Sequence, residues 1–291
     1  MLTFLTFFTP LPPAEHLDLH AMNDQIQAYI TSLQLLLESL NCQTTVRLTR
    51  QLAFSWNGAR GLADSGYRQH GPQAEIIYEL VMAIYCQAFC KYSVGVGLLR
   101  ASSAKEAAKS FLEAAAVFQY LADETLPRWL HRDLLPFRVP ETFEHVARMC
   151  VHLCVACASQ CVVAQAMERK SASSVLQKLC AAVVQSASDA IDQTSRPGCG
   201  DHLDNGLIEH LAFLKTLFTA LAFHHAGIAA KQGARAVACY GAAVATLRQQ
   251  GRPGEGVRHN AFQPGCVRVY VYTCIRVHVC MCICVFRGWC V

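Results

Sequence analysis

Charged residues are scarce in this sequence, at 16% of 291 residues, while apolar residues make up 53%. A chain so poor in charge and so rich in apolar side chains can bury a sizeable core, which excludes intrinsic disorder for most of its length. The net charge of +4 is small and spread along the chain. It therefore does not favour a nucleic-acid-binding protein.

Targeting and membrane signals are also lacking. The apolar residues at the start follow no basic residue and soon meet Pro10, Pro12 and Pro13, which excludes a typical signal peptide. We interpret residues 1–13 as a short extended or β segment. No stretch approaches the ~20 uncharged apolar residues of a membrane-spanning helix, so we expect no transmembrane segment.

Motifs of common enzyme classes are missing as well. The sequence contains no Gly-x-Ser-x-Gly and no phosphate-binding loop. Gly95-x-Gly97 lacks the third glycine and the preceding strand of a dinucleotide-binding fingerprint. Glu141-x-x-Glu144-His145 does not match the arrangement of a metalloprotease. These absences argue against an enzyme.

Cysteine, by contrast, is abundant, with sixteen residues. The chain is long and most of its cysteines lie in or beside apolar helical patterns, so a reducing environment fits better than a disulfide framework. Four cysteines at helical spacing share one helix face: Cys150, Cys154, Cys157 and Cys161. The first and last are ~16 Å apart along a helix, too far for one tetrahedral zinc. We interpret the four as core, and the adjacent His224 and His225 as core or surface. We predict no metal and no cofactor.

Apolar residues recur at helical spacing through most of the chain. This pattern predicts an all-α protein with helices over 20–41, 73–99, 103–125, 140–170, 173–192, 205–231 and 235–249. The last two are expected to form an αα-hairpin broken at Gly233. Small residues flank an aromatic residue in two helices, as in tetratricopeptide hairpins, although no 34-residue period connects them.

Local signals indicate where several helices begin. Ser103 and Glu106 have the spacing of a capping box. Pro140 suits a first helical turn, and Asp204 is placed to cap the helix from 205. Gly95 and Gly97 are expected to weaken the end of the second helix.

Residues 251–291 have a different composition, with valine and cysteine recurring among tyrosine, histidine and arginine. Alternating Val and Cys codons are what a translated TG-dinucleotide repeat would give, for example from a retained intron. The alternative is a real β-hairpin, since the pattern has a period of two. We therefore divide the chain into a helical domain, 1–250, and a low-complexity tail, 251–291.

Several motifs occur in the order found in one known family. They are Phe54-Ser55-Trp56-Asn57, the run 74–80, the run 107–121 with its Ala-Ala-x-x-Phe pattern, and Ala156-x-Ala158-x-Gln160 with the following Gln165-Ala166. Over about residues 20–250 the sequence resembles the Bro-type domain family, represented by BROX, Alix and rhophilin. Cys157 and Ser159 depart from its pattern. That family's domain continues beyond residue 250, so the resemblance also implies a truncated, aggregation-prone domain with uncovered apolar faces.

The resemblance implies an elongated, curved helical domain with a tetratricopeptide-like centre. It implies a cytoplasmic, non-catalytic adaptor of the ESCRT pathway that is recruited to endosomes. The implied partner is the C-terminal amphipathic helix of an ESCRT-III subunit, bound on a concave apolar patch. Aligned with the family, Val162, Val175 and Leu179 form the centre of that patch. The alternative is that all three are ordinary core residues.

Two other functions remain open from the sequence. A generic helical-hairpin scaffold with an unrelated partner has the same periodicity and the same lack of catalytic motifs. A thiol- or metal-dependent enzyme would use the cysteine face between Cys150 and Cys161.

Overall fold

The computed structural model describes residues 18–41, 54, 75–129, 140–196 and 203–230, together with five positions between 238 and 245. Six long helices and one short helix make up most of these ranges. In chain order the α-helices are α1 Leu19–Asn41, α2 Ile76–Arg100, α3 Ala104–Tyr120, α4 Leu126–Arg128, α5 Glu144–Glu168, α6 Ser173–Thr194 and α7 Asn205–Ala229. The predicted N-terminal β segment, the tail 251–291 and most of the helix 235–249 lie outside the described residues.

The long helices pack in the order of the chain. α1 packs on α2, α2 on α3, α3 on α5, α5 on α6, and α6 on α7. Such sequential packing gives an elongated array in which inner helices are covered on two sides. Within the described ranges there is no strand, only isolated bridge residues at Phe54 and Leu203. The predicted all-α fold is confirmed.

Two apolar clusters form the core. The larger one joins α1, α2, α3 and α5 with the start of α7. At its centre Phe89 packs edge-on against Phe118, with ring centroids 5.0 Å apart, and Tyr85 contacts both rings. The smaller cluster joins the second half of α5 to α6 and α7 around Val163, Val183 and Phe218. The hairpin of α5 and α6 therefore connects the two clusters.

A close approach between α2 and α3 depends on one glycine. A Cβ placed on Gly95 would lie 2.9 Å from Cε1 of Phe111, a buried ring that also packs against Tyr92 at a centroid distance of 5.1 Å. The exposed Gly97 has no atom within 4 Å of such a Cβ. Neither glycine ends the helix, which continues to Arg100. Gly95 thus makes room for the Phe111 ring.

The predicted helix starts have different outcomes. Oδ1 of Asp204 accepts a hydrogen bond from the Gly206 amide at 2.7 Å, so the cap of α7 is confirmed. Ser103 occupies the N-cap position of α3, but its side chain makes no capping hydrogen bond. The predicted capping box is therefore wrong. The preceding Ser102 has φ 62°, and Ser103 itself has ψ 65°, outside the extended conformation usual for an N-cap.

The end of α3 is irregular near a proline. The chain passes from α3 into a π-helical turn, Leu121–Thr125, and then into α4. Pro127 has no amide hydrogen to donate to the carbonyl four residues earlier, which accounts for the interrupted helix at the predicted stop. Immediately after α4, Nε1 of Trp129 donates to Oε2 of Glu75 at 2.5 Å. This hydrogen bond connects the end of α4 to the start of α2.

Three helices are more apolar than predicted from the sequence. α2, α5 and α7 are long and apolar enough to cross a membrane, by length and composition only. The expectation that no stretch approaches such a composition is therefore wrong. In α2 and α5, 67% of the most apolar window is buried inside the protein, and in α7 44%. The apolar residues of α2 and α5 thus serve largely to build the core between helices.

Candidate partner-binding site

The predicted site lies on the hairpin of α5 and α6. α5 ends in a Schellman-type turn: the Lys170 amide donates to the Met167 carbonyl at 3.0 Å, and the Ser171 amide donates to the Ala166 carbonyl at 2.9 Å. Lys170 occupies the left-handed position with φ 53°, which is typical of this motif although glycine is the more usual residue there. Because the connection is so short, α5 and α6 pack as antiparallel neighbours.

One contact fixes how the two helices line up. Nδ1 of His152 on α5 lies 3.9 Å from Oδ2 of Asp189 on α6. In an antiparallel pair, ten residues forward along α5 corresponds to ten residues back along α6. Val162 and Leu179 are therefore at the same level of the hairpin, each six residues from the helix end at the turn. The structure thus places two of the three predicted residues at the same level of the hairpin, on neighbouring helices.

The exposure of the three predicted residues is informative. Val162 is 42% exposed and Val175 is 46% exposed. Leu179 is half-buried and packs against the smaller core cluster. The alternative that all three are ordinary core residues is excluded for the two valines. Partner binding by these residues stays a prediction, but two of them are open to a partner.

Two further apolar residues lie in line with this surface: the half-buried Val155, which packs against the larger core cluster, and the exposed Ala182. Val155 lies two helical turns before Val162 on α5, and Ala182 lies two turns after Val175 on α6. We call these five residues, Val155, Val162, Val175, Leu179 and Ala182, the α5–α6 strip. Single exposed apolar side chains are common on protein surfaces, whereas a contiguous set suggests an interaction surface. Val155 and Ala182 were not predicted from the sequence, although each is seven residues from Val162 or Val175, a spacing that places both residues of a pair on the same helix face.

The four cysteines of α5 are part of the core. Cys150, Cys154, Cys157 and Cys161 are all buried, as predicted. The hydroxyl of Tyr92 on α2 lies 3.6 Å from Sγ of Cys157. Burial raises the pKa of the Cys161 thiol to about 12 and raises that of Cys154 well above its ordinary value. Protonated thiols are poor nucleophiles and poor metal ligands, which argues against a thiol enzyme built on this helix face.

The histidines of α7 are also interior. His224 and His225 are both buried, and their ring centroids are 5.3 Å apart. Across the described residues, no group of three or more His, Cys, Asp or Glu side chains could hold a metal ion. His202, two residues before the capping Asp204, lies outside the described ranges. Among the described residues, the hairpin therefore offers the apolar strip, and no metal-ligating cluster, as a candidate site.

Comparison with known proteins identifies the family. The model of the BRO1-like domain matches residues 14–258, most of the chain and all of the described helices. No curated protein matches the chain significantly. The family match agrees with the resemblance carried by the ordered motifs of the sequence, and with the sequential packing of the long helices. The chain belongs to the BRO1-like domain family.

Proposed function

We propose that this protein is a non-catalytic adaptor of the ESCRT pathway that binds the C-terminal amphipathic helix of an ESCRT-III subunit along the α5–α6 strip. Membership of the BRO1-like domain family, an ESCRT-associated adaptor family, supports the pathway and a protein partner. On this proposal the protein works in the cytoplasm and is recruited to endosomes through its partner.

One observation carries the proposed binding mode. Val162 and Val175 are exposed on neighbouring helices, and the half-buried Leu179 lies at the level of Val162. An amphipathic helix binds such a surface by placing apolar residues at i, i+3, i+4 and i+7 against it. Leu179 also contacts the core, which gives the middle of the strip a rigid base.

The dimensions of the strip fit a short helix. By the same alignment Val175 is level with Ala166 on α5, so the strip extends over eleven residues from Val155, or about 17 Å at a rise of 1.5 Å per residue. That length matches about three turns of a bound helix. Such an interface is small, and its affinity depends on a few well-buried anchors rather than on total area. We therefore expect Val162 and Val175 to dominate binding.

The test is a titration of the full chain with a fluorescent peptide from the C-terminus of an ESCRT-III subunit. Val162→Asp and Val175→Asp place a charge in the contact, so each should weaken binding at least tenfold without lowering Tm. The matched control is Leu35→Asp, because Leu35 is 59% exposed and lies on α1, which packs on α2 rather than on the hairpin.

Two results would contradict the proposal. The first is a folded wild-type chain that shows no binding to any ESCRT-III C-terminal peptide. The second is binding that Leu35→Asp weakens as much as Val175→Asp does, because the peptide would then be held by apolar surface in general. Circular dichroism of each variant shows whether the chain remains folded.

A further inference from the structure

Among the tyrosines that the structure describes, two have exposed side chains, and both contact a neighbour across the edge of α1. Tyr29 of α1 is 43% exposed, and Tyr120 at the end of α3 is 41% exposed. The tyrosines of α2, Tyr78, Tyr85 and Tyr92, are at most 2% exposed. An enzyme that modifies tyrosine hydroxyls therefore meets Tyr29 and Tyr120 first among the described residues.

The two exposed hydroxyls make opposite kinds of hydrogen bond. The Tyr29 hydroxyl donates to Oε1 of Glu79 on α2 at 2.6 Å. The Tyr120 hydroxyl instead accepts from Nε2 of Gln34 on α1 at 3.3 Å. Burial, together with the hydrogen bond to Glu79, raises the pKa of Tyr29 to about 12, so this hydroxyl stays protonated at neutral pH. A phosphate ester offers acceptor oxygens in place of that donor, so the same modification acts differently on the two contacts.

The helices that carry the Tyr29 contact offer little positive charge to a phosphate. The Glu79 side chain that Tyr29 contacts is only 7% exposed. No lysine or arginine occurs in α1 or in the first fifteen residues of α2. The first basic residue of α2, Lys91, is about 18 Å along the helix from Glu79. A phosphate on Tyr29 would add a charge of about −1.5 to −2 beside Glu79, and a charge held in a buried contact without a cation is costly.

α1 is the least buried of the long helices that the structure describes. In this helix Ile30 and Leu33 are the buried apolar residues, whereas fifteen residues of α2 are buried. α1 also lies at one end of the helix array and packs mainly on α2. Elements with few buried contacts open locally at a lower cost than the core does. A modifying enzyme therefore gains access to Tyr29 when α1 is briefly undocked.

We propose that Tyr29 is a phosphorylation site through which a tyrosine kinase controls the docking of α1 on α2. The kinase transfers the γ-phosphoryl group of ATP to the Tyr29 oxygen, the phenolic proton is released, and ADP leaves. Glu79 then loses the hydrogen bond from Tyr29 and faces a second anion. α1 is thereby kept away from α2, and the apolar face of α2 that α1 covers becomes accessible. Hydrolysis of the phosphate ester by a phosphatase restores the docked helix.

The full chain with Tyr29→phosphotyrosine, incorporated during translation, tests the release of α1. Hydrogen–deuterium exchange followed by mass spectrometry should show the amides of α1 exchanging about tenfold faster than in the wild type, because local opening exposes them. The amides of α5 and α6 should keep their rates. Tyr29→Phe, which removes the hydrogen bond without adding charge, should give a smaller acceleration. The matched control is Tyr120→phosphotyrosine, in which a phosphate oxygen still accepts from Gln34, and it should leave exchange in α1 unchanged.

A second variant separates electrostatic release from a general loss of packing. Glu79→Gln keeps the size of the side chain and an oxygen that accepts from the Tyr29 hydroxyl, while its amide donates to a phosphate oxygen. Combined with Tyr29→phosphotyrosine, it should slow exchange in α1 relative to the phosphorylated chain that retains Glu79. Equally fast exchange in both phosphorylated chains would mean that the bulk of the phosphate alone displaces α1, which overturns the role given to Glu79.

Access of a kinase is measured on the wild-type chain with ATP and a panel of purified tyrosine kinases. Peptide mapping should place phosphate on Tyr29 and leave the buried tyrosines of α2 unmodified. The proposal is overturned if no kinase of the panel modifies Tyr29 in the folded chain. It is also overturned if Tyr29→phosphotyrosine leaves exchange in α1 unchanged, or if Tyr120→phosphotyrosine accelerates it as much. Circular dichroism of each protein shows that the remaining helices are folded.

Discussion

Two glycines of the same helix should respond in opposite ways to the same substitution. Gly95 and Gly97 both lie in α2, but a Cβ at Gly95 would lie 2.9 to 3.2 Å from three atoms of the Phe111 ring, while a Cβ at Gly97 would meet nothing within 4 Å. Gly97→Ala should therefore stabilise the protein by about 0.5–1 kcal/mol through helix propensity alone. Gly95→Ala should gain a similar stabilisation from helix propensity, but its new methyl group must displace the packed Phe111 ring.

The cost at Gly95 follows from what surrounds Phe111. The ring is 1% exposed and packs against Tyr92, so it cannot rotate away into solvent. Overpacking of this kind costs about 1–3 kcal/mol, which outweighs the propensity gain. Because the propensity term is common to both variants, the difference between their unfolding free energies measures the overpacking cost directly.

Urea unfolding followed by circular dichroism at 222 nm measures both variants against the wild type. A third protein, Gly95→Ala/Phe111→Leu, serves as the control, because a smaller side chain at 111 should reduce the penalty of the added methyl group in a double-mutant cycle. Gly95→Ala proving as stable as Gly97→Ala would refute the close packing of α2 on α3.

Three further predictions concern local features of the fold. Asp204→Ala should lower the free energy of unfolding by about 1 kcal/mol, whereas Asp204→Asn should keep most of the stability that the cap contributes. Chemical denaturation measures both variants, and equal losses of stability would contradict the cap. Burial lowers the pKa of His210 from 6.5 to about 4, so His210 binds a proton more tightly in the unfolded chain than in the folded one. Stability should therefore fall by up to ~3 kcal/mol as pH drops from 6.5 through 4, and His210→Gln should show a smaller fall in acid unfolding curves. Because burial raises the pKa of Cys161 to about 12, a thiol reagent at pH 7 should modify it slowly in the native protein and quickly in urea; rapid native labelling in peptide mapping would contradict its burial.

Apolar periodicity was sufficient to predict the long helices. Residues 20–41 were predicted and Leu19–Asn41 is observed; residues 173–192 were predicted and Ser173–Thr194 is observed. The pattern succeeds because each helix buries a face against its neighbours in the chain, so the spacing of apolar residues reflects the packing. α5 was predicted from Pro140, but the α-helix begins at Glu144 after a short 3-10 turn.

Features that depend on tertiary contacts could not be predicted from the sequence. Nothing local to Gly95 shows that Phe111 will pack against it, and two glycines in a helix suggested a weak end instead. At Ser103 the capping spacing was present, yet the backbone of the α2–α3 turn gives this serine a conformation in which its hydroxyl does not cap the helix. A local motif predicts a bond only when the chain entering the helix has the matching direction.

The candidate site, too, could be predicted only in part from the sequence. The family resemblance located Val162, Val175 and Leu179, but a valine in a helix is buried by default. The exposure of Val162 depends on how α3 and α6 pack on α5, and that of Val175 on how α5 and α7 pack on α6, because each helix keeps one face accessible. The contact of His152 with Asp189, which aligns the two helices, joins residues 37 positions apart and no local pattern indicates it.

Photo-cross-linking locates a bound helix most directly. Val175→p-benzoylphenylalanine puts a photoreactive group on the α5–α6 strip, and Leu35→p-benzoylphenylalanine puts the same group on α1, at a position of comparable exposure. With a fluorescent ESCRT-III C-terminal peptide, the variant at 175 should give a cross-linked product that excess unlabelled peptide suppresses, and the variant at 35 should give none. A cross-link at 35 alone, or at neither position while the peptide binds the wild type, would contradict binding on the α5–α6 strip.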